Sequence, residues 1–302
     1  MSTSRRSFIV TSSLALAAGL VRPERLFAQQ AAAPAPPTVP HFSMIRRNVG
    51  IFTARGGTMA YLITPDAVAV VDSQFADTSQ LFLNGMKTRT SRTFDLLINT
   101  HHHPDHTGGN KVLRPSVTKI VAHEHVPGLQ RTQAAAQKSE DNQAYADEVF
   151  KDGWKVDIGG ETISAKYYGP GHTSGDAVVT FEQANIVHMG DLMSHLRHPR
   201  VDRPSGASIR NWLVALEKAT KDHSASATYI FGHSKVGAPV MGSREDVLAL
   251  RTYFSAMLAY VQRGIAAGRS KEEVVKAGMP RFATHEGEPQ LAVCYDELSA
   301  KA

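Results

Sequence analysis

The sequence predicts an α/β protein, because short apolar strands alternate with amphipathic helices along most of its length. Hydrophobic residues make up 42% of the 302 residues and charged residues 20%, a composition that can bury a core and excludes a disordered chain. No run of about eighteen apolar residues occurs, so no transmembrane helix is expected. We therefore expect a layered domain in which helices cover β-sheet.

The first half of this domain is predicted from its apolar runs and turn residues. The expected elements are a hairpin over 58–63 and 67–71, a helix over 77–89, strands at 94–99 and 118–122, and a helical insertion over 130–150. Pro65-Asp66 forms the predicted hairpin turn, and Asp77 is the predicted N-cap of the helix. Leu81, Phe82 and Met86 fall on one face of that helix, which would pack against the sheet.

The second half follows the same alternation. Strands are expected at 161–168, 177–181, 185–188 and 228–231, and helices at 208–220, 243–267 and directly after Ser270. Leu248, Phe254 and Leu258 lie toward one side of the long helix. The run Ser270-Lys271-Glu272-Glu273 is a capping box, which predicts a helix start at that point.

The N-terminal residues are typical of an export signal. Arg5-Arg6 precedes the mildly hydrophobic segment 8–21, and small residues suitable for cleavage follow near Ala28. Paired arginines followed by Phe8 resemble the Tat signal, which implies the Tat export machinery as a partner of the precursor. We expect a signal peptide over 1–28, a flexible Ala/Pro/Gln-rich linker over 29–40 and one domain over 41–302, located in the periplasm.

The net charge of +5 is partly a property of that signal. Residues 1–28 carry four arginines and one glutamate, a charge of +3, which leaves +2 for the mature chain. So small a charge gives no reason to expect nucleic-acid binding, and no stable membrane anchor is expected either. Cys294 is the single cysteine, which excludes an intrachain disulfide and a thiolate-cluster metal site.

Histidine stands out, with fourteen residues unevenly placed. Four histidines and one aspartate fall within six residues of a predicted loop after strand 94–99, in the run His101-His102-His103-Pro104-Asp105-His106. Pro104 and the following Gly108-Gly109 prevent a regular helix through this run. Imidazole and carboxylate groups are ligands for zinc-type divalent ions, so the loop predicts a metal site.

Three more candidate ligands follow, each directly after a glycine and at or just after the end of a predicted strand. They are His172, Asp191 and His233. A single histidine or aspartate in such a place is usually an ordinary loop residue. Four sites in this order at strand ends are much harder to explain as coincidence, and glycine lets the backbone turn sharply beside a ligand.

These residues resemble the metallo-β-lactamase superfamily over roughly residues 45–240. The family motif His-x-His-x-Asp-His is present as His101, His103, Asp105 and His106, and its later His, Asp and His match His172, Asp191 and His233. An earlier family aspartate at a strand end matches Asp72. The resemblance implies a four-layer αββα sandwich with a dinuclear metal site at one edge of the two sheets.

The resemblance also implies a role for each matched residue. The first metal would be held by His101, His103 and His172, and the second by Asp105, His106 and His233, with Asp191 bridging them. Asp72 is expected to support the site through hydrogen bonds, and His102 to point away into solvent. Two Zn²⁺ ions are the expected cofactors, with iron or manganese as alternatives.

The implied reaction is hydrolysis by a metal-bridging hydroxide, with a small-molecule carboxyl ester, thioester, lactone or β-lactam as substrate. Asp105 would orient the hydroxide and shuttle its proton. His195 is a candidate for protonating the leaving group, and Arg197, Arg200 and Arg203 are candidates for attracting a substrate carboxylate. His123 and His125 are expected to have structural or rim roles.

Several alternatives stay open. The best-known β-lactamase subclass of the family has cysteine where this chain has Asp191, and aspartate is the pattern of thioesterases and lactonases, whereas a periplasmic location favours a β-lactamase. A phosphodiesterase is a second possibility, disfavoured by export and low charge. An inactive, metal-binding member of the fold is a third, disfavoured because the ligand set is complete.

Overall fold

The computed structural model describes residues 39–300, and two β-sheets packed face to face form their centre. The predicted signal segment 1–28 lies outside the described residues, as does most of the predicted linker 29–40. No helix among the described residues combines the length and apolar character that a bilayer span requires.

The first sheet has seven strands in chain order. They are β1 His41–Arg46, β2 Val49–Thr53, β3 Met59–Ile63, β4 Val68–Val71, β5 Phe94–Asn99, β6 Val117–His123 and β7 Glu148–Phe150. Strands β1 to β4 pair antiparallel, whereas β4 to β7 pair parallel. Because β4, β5 and β6 run in the same direction, the loops that follow them leave the sheet at a common edge.

The second sheet has six strands. In spatial order they are β15 Met241–Gly242, β13 Thr228–Ile230, β11 Ile186–His188, β10 Ala177–Phe181, β9 Glu161–Tyr167 and β8 Gly153–Ile158. Two short strands, β12 Ser194–His195 and β14 His233–Ser234, pair parallel with each other beside it. Strand β11 pairs parallel with β13, so their following loops also share an edge.

Helices cover the outer face of each sheet. The helices of the described residues are α1 Ala76–Lys87, α2 Pro104–Thr107, α3 Asn110–Leu113, α4 Val126–Gln137, α5 Ile209–Asp222, α6 Arg244–Ala266, α7 Lys271–Ala277 and α8 Leu291–Ser299. Phe82 and Met86 of α1 pack on the first sheet, and Trp212 of α5 with Phe254 of α6 packs on the second. The order of layers is helix, sheet, sheet, helix, which confirms the predicted αββα sandwich.

The apolar layer between the sheets joins the two halves of the chain. Ile98 and Val121 from the first sheet meet Val179 and Ile186 from the second in one buried cluster. These strands carry almost continuous apolar runs because both of their faces are buried. The predicted capping box at Ser270 is confirmed, and Ser243 forms a second one with Asp246 at the start of α6.

Three expectations about elements need correction. The segment 130–150 is not one helix: α4 ends at Gln137, Lys138 takes a left-handed conformation at φ 52°, and the segment finishes in strand β7. Helix α1 begins at Ala76, so Asp77 lies in its first turn, where it forms an ion pair with Arg55 instead of capping. The elements that had not been predicted are β1, β2, β7, β8, β12, β14, β15, α2 and α8. Helix α2 forms inside the predicted loop because Pro104 occupies its first position, where no backbone N–H is needed.

Candidate metal centre

Three histidine side chains meet at the shared edge of the sheets. His101 and His103 lie in the loop after β5, and His172 lies in the loop after β9. The Nε2 of His101 is 3.1 Å from the Nδ1 of His103, and the Nε2 of His172 is 2.8 Å from the same Nδ1. All three rings are buried, so three ring nitrogens surround one small volume.

A second group lies next to the first. The Nε2 of His233 is 3.0 Å from an oxygen of Asp105, and it is 3.4 Å from the Nε2 of His106. Asp105 and His106 belong to the short helix α2, whereas His233 follows β13 in the second sheet. Their ligand atoms lie close enough together to bind a single ion.

Asp191 lies between the two groups. Its Oδ2 is 3.4 Å from the Nε2 of His172 and 3.3 Å from the Nε2 of His233, and its Oδ1 is 3.0 Å from the Nε2 of His106. This Oδ1 is buried and has no hydrogen-bond partner. A buried carboxylate oxygen without a hydrogen bond is costly unless a cation lies beside it.

The outward-facing nitrogens of these rings show which nitrogens carry protons. His103 Nε2 donates to Asp202 at 2.7 Å, His172 Nδ1 donates to the carbonyl of Arg200 at 2.7 Å, and His106 Nδ1 donates to Asp72 at 2.7 Å. The Nδ1 of His101 lies 3.1 Å from the hydroxyl of Thr100. That hydroxyl gives its own proton to Asp72, so it accepts from His101.

The rings of His101, His103 and His172 therefore direct an unprotonated nitrogen inward. Asp191 and Asp72 raise the pKa of His106 against the effect of burial, so a metal ion would displace the inward proton of that ring. Nitrogen lone pairs that approach one another at about 3 Å repel unless a cation separates them, and hydrogen-bonded imidazoles are the usual metal ligands. The donor set is imidazole and carboxylate without thiolate, a set that zinc and similar divalent ions accept. The residues present thus fit a divalent metal pair.

The pKa values divide the rings into two kinds. Burial lowers the pKa of His101 well below its usual value, an effect increased by nearby His106, and burial lowers the pKa of His172 to about 4. Both rings are therefore neutral near pH 7, the form that binds metal. Burial also acts to lower the pKa of His233, but Asp191 and Asp105 outweigh it and raise this pKa to about 9.

The pKa values of the two ligand carboxylates, Asp105 and Asp191, are lowered. Burial acts to raise the pKa of Asp105, yet His106 and His233 outweigh burial and lower it to about 2. The same two histidines hold the pKa of Asp191 well below its usual value, again against burial. Both carboxylates are ionised near pH 7, so this side of the centre is suited to bind positive charge.

Asp72 organises the loop that carries the motif. It directly follows β4 and adopts a left-handed backbone conformation at φ 63°, which is strained for a residue with a side chain. Its carboxylate is fully buried and accepts from the backbone N–H of Thr100 at 2.7 Å as well as from His106. Asp72 thus fixes the start of the loop and one ring within it.

Loop Gly56–Thr58, between β2 and β3, connects the segments around the second position. The N–H of Gly57 donates to the carbonyl of Asp105 at 3.0 Å, and the N–H of Thr58 donates to the carbonyl of Gly232 at 2.9 Å. His188 donates through Nε2 to the carbonyl of Thr58 at 2.9 Å, while its Nδ1 accepts from the N–H of Gly190. One loop therefore contacts the neighbours of three candidate ligands.

Two histidines are placed differently from expectation. His102 is not solvated: it is buried, burial lowers its pKa to about 3, and its Nε2 is 3.3 Å from the hydroxyl of Ser205. His195 bonds through Nδ1 to the carbonyl of Pro239 at 3.1 Å, as does the hydroxyl of its strand partner Ser234. His195 thus lies on the face of the β12–β14 pair opposite His233, which gives no support to a contact with the leaving group.

The remaining candidates surround the centre. Arg197 lines a small cavity beside His233, Arg203 approaches Glu297, and the side chain of Arg200 is exposed near Asp202. His123 is buried and stacks on Tyr167, with ring centroids 4.0 Å apart, and His125 bonds to the carbonyl of Ser174.

Sequence reasoning missed several residues that support the ligands. Asp202, Thr100 and the carbonyl of Arg200 each bond to a ring, and Gly57 packs against His106. Of these residues, only Thr100 could have been identified from the sequence, because it directly precedes the motif. Asp202 lies 99 residues after His103 and belongs to no pattern of spacing.

Comparison with known proteins agrees with this geometry. The family model described as the metallo-β-lactamase superfamily matches residues 53–233. Metallo-β-lactamase IND-1 of Chryseobacterium indologenes is 24% identical over 194 residues, which is 63% of this chain and 78% of that protein. The type 2 metallo-β-lactamase of Bacillus cereus is 24% identical over 205 residues, covering 65% and 77% respectively.

Solved structures show the same fold. A metallo-β-lactamase from Pontibacter korlensis superposes with a TM-score of 0.61 at 19% identity, covering 72% of this chain and 99% of that one. The DIM-1 metallo-β-lactamase superposes with a TM-score of 0.60 at 18% identity, covering 73% and 99%. With the family model spanning more than half of its length, the chain belongs to the metallo-β-lactamase superfamily and is a hydrolase of that family.

Proposed function

We propose that this protein is an exported, dinuclear metal-dependent hydrolase that cleaves a carboxyl ester, thioester, lactone or β-lactam. One observation carries the proposal: two groups of imidazole and carboxylate ligand atoms lie side by side and share the buried carboxylate of Asp191. A centre with three ligands on each side and one shared carboxylate is suited to two ions rather than one.

The first ion would be held by His101 Nε2, His103 Nδ1 and His172 Nε2, and the second by Asp105 Oδ2, His106 Nε2 and His233 Nε2. Zinc is the favoured metal, with iron or manganese as alternatives. When bound, such a pair lowers the pKa of coordinated water toward neutrality and polarises an acyl oxygen.

The protein's own groups orient this chemistry. Asp72 and Asp202 hold the rings of His106 and His103 and make their inward nitrogens better donors. Asp105 is the least buried of the ligand carboxylates, and its lowered pKa keeps it ionised. It is therefore placed to orient an attacking water and to accept a proton from it.

The relatives and the residue at position 191 favour different substrates for this hydrolase. The relatives are named β-lactamases, which favours a β-lactam. Aspartate at position 191, in place of the cysteine of the best-known lactamase subclass, favours esters, thioesters and lactones. The mature charge of +2 gives no attraction for nucleic acid, so a phosphodiesterase acting on it is disfavoured.

The location is part of the proposal. Residues 1–28 would be removed as a Tat-type signal, 29–40 would serve as a linker, and 41–302 would act in the periplasm. Tat exports folded proteins, so the metal would be loaded before export. Cell fractionation of the full-length chain tests this, and a mature protein found only in the cytoplasm would contradict it.

The decisive experiment combines metal analysis with a substrate panel. Purified mature protein is expected to contain about two equivalents of transition metal by elemental analysis. The panel is a chromogenic cephalosporin, S-lactoylglutathione, acyl-homoserine lactones and bis-p-nitrophenyl phosphate at fixed zinc. Hydrolysis of one of the first three supports the proposal, whereas hydrolysis of the phosphodiester alone, or one metal equivalent or none, would overturn it.

A further inference from the structure

A segment near the C-terminus lies against two loops, one that follows Asp191 and one that follows His233. Residues 279–290 lie beyond the part of the chain that the family model matches. They follow α7 and precede α8, and they include a short helical turn at Pro280–Phe282. Neither the motif nor the family resemblance assigns them a role.

Glu286 makes the contacts that matter. Its N–H donates to the carbonyl of Leu196 at 3.0 Å, and its carbonyl accepts from the N–H of His198 at 2.9 Å. These two bonds form a parallel β-bridge between Glu286 and Arg197. The bridge fixes the chain that leads away from Asp191, which lies six residues before Arg197.

The side chain of Glu286 contacts the other loop. Its Oε2 accepts from the N–H of Val236 at 2.9 Å, three residues after His233. Close by, Lys235 donates from Nζ to the carbonyl of Thr284 at 2.9 Å. One residue therefore joins the loop after Asp191 to the loop after His233.

The other end of the segment is anchored in the core. His285 stacks on Tyr253 of α6, with ring centroids 5.6 Å apart and an interplanar angle of 16°. Phe282 packs edge-on against the same ring at 4.8 Å. Tyr253 itself is fully buried, so the segment is held by a rigid helix and not only by the loops.

The two loops and the segment line a partly open cavity that reaches a candidate ligand. Its volume is about 190 Å³, and it is lined by Arg197, His233, Val236, Glu286 and the glycines of loop Gly56–Thr58. Leu196 beside it adopts a left-handed conformation at φ 52°, which is strained, and the bond from Glu286 to its carbonyl helps to hold it there. This volume is small beside the roughly 300–1,000 Å³ of typical ligand pockets, so the cavity suits a compact group.

We infer that Glu286 is a positioning residue which, by joining the loops after Asp191 and His233, forms one wall of the substrate pocket and restricts that pocket to compact substituents. The inference rests on the proposed function for its substrate, but the joining of the loops can be measured without turnover. The inference about Glu286 and the proposed function can therefore be tested separately.

The first arm of the test is hydrogen–deuterium exchange on zinc-loaded protein. Glu286→Ala is expected to increase amide exchange at least tenfold in 194–198 and 233–240, because the bond to Val236 is lost and the bridge weakens. Glu286→Gln retains an acceptor oxygen and should restore most of the protection. Glu288→Ala changes an exposed glutamate two residues away and is the matched control.

The second arm compares p-nitrophenyl acetate with p-nitrophenyl octanoate. In Glu286→Ala the ratio of their KM values is expected to move at least fivefold in favour of the longer ester, with kcat for the acetate changed less than twofold. Equal exchange and equal KM ratios in Glu286→Ala and Glu288→Ala would overturn the inference, as would faster exchange without a change in selectivity.

The test also covers a variant that does not fold and a wild-type protein that has no hydrolase activity. If Glu286→Ala does not fold, Glu286→Asp replaces it, because the side chain shortened by one methylene loses the bond to the N–H of Val236, and wild-type exchange in 233–240 of that variant would overturn the inference. If the wild-type protein hydrolyses no ester, thioester, lactone or lactam, the proposed function fails, and exchange alone then decides whether Glu286 joins the loops.

Discussion

Gly57 packs directly against the imidazole of His106, so closely that a methyl group at position 57 would overlap the ring. Its backbone dihedral lies outside the left-handed region, so glycine is needed there for space and not for conformation. The same His106 ring donates from Nδ1 to the carboxylate of Asp72 at 2.7 Å. His106 is thus held between a backbone that excludes any side chain and a carboxylate that fixes its tautomer.

The first prediction concerns this contact. Gly57→Ala should displace the His106 ring and lower the bound metal from about two equivalents to about one, since only the second position is affected. Elemental analysis after dialysis measures the change. Gly128→Ala is the control, because a methyl group there meets no atom within 4 Å and lies on helix α4. Two retained equivalents in Gly57→Ala would contradict the assignment of His106 to the second position.

The second prediction concerns Asp105. Asp105→Ala should reduce kcat by about 10²-fold or more, because it removes both a ligand of the second ion and the carboxylate placed to accept a proton. Far-UV circular dichroism should stay near wild type, since this side chain contributes little to the core. An unchanged kcat on the best substrate of the panel would rule out the role given to Asp105.

A third prediction tests the support of the first position. Asp202→Ala removes the acceptor of the His103 Nε2 proton and should weaken zinc binding there by about 10- to 100-fold. Competition with a chromophoric chelator measures the affinity. Asp202→Asn keeps an acceptor oxygen and should lie in between, whereas Asp66→Ala, in the exposed turn between β3 and β4, should bind as wild type. Equal affinities in all three variants would show that the contact does not matter.

The fourth prediction follows from the pKa of a thiol. Burial, with a smaller effect of Glu297, raises the pKa of Cys294 to about 12, so at pH 8 the side chain is almost entirely the unreactive thiol. Native protein should resist iodoacetamide at pH 8 for hours, and unfolding in urea should expose the thiol and restore ordinary reactivity. Mass spectrometry counts the adducts. Rapid labelling of native protein would mean that α8 opens easily from α6.

Much of the fold could be predicted because its central strands have both faces buried. Val68–Val71 is a continuous apolar run, Ala177–Phe181 is interrupted only by Thr180, and both are strands. Strand β8 was missed although Trp154, Val156 and Ile158 alternate with more exposed residues, the pattern of a half-buried strand. The alanine-rich start of 130–150 favoured a long helix, but nothing local showed that Lys138 would end it.

The candidate ligands could be found because they follow strand ends in a set order, whereas their supporting residues could not. Asp202 reaches His103 only after the chain has crossed to the second sheet, so local spacing contains no trace of the contact. The direction of His195 was equally hidden. It depends on the pairing of β12 with β14, which places neighbouring residues on opposite faces.

The ligands are divided between the two sheets: those from 101 to 106 follow β5, and those at 172, 191 and 233 follow strands of the second sheet. A bound metal pair would therefore cross-link the N-terminal and C-terminal halves of the domain at one edge of the two sheets. Chelation should then loosen this end before the apolar layer between the sheets, so that heat or protease would open the metal-free protein from its active edge inward.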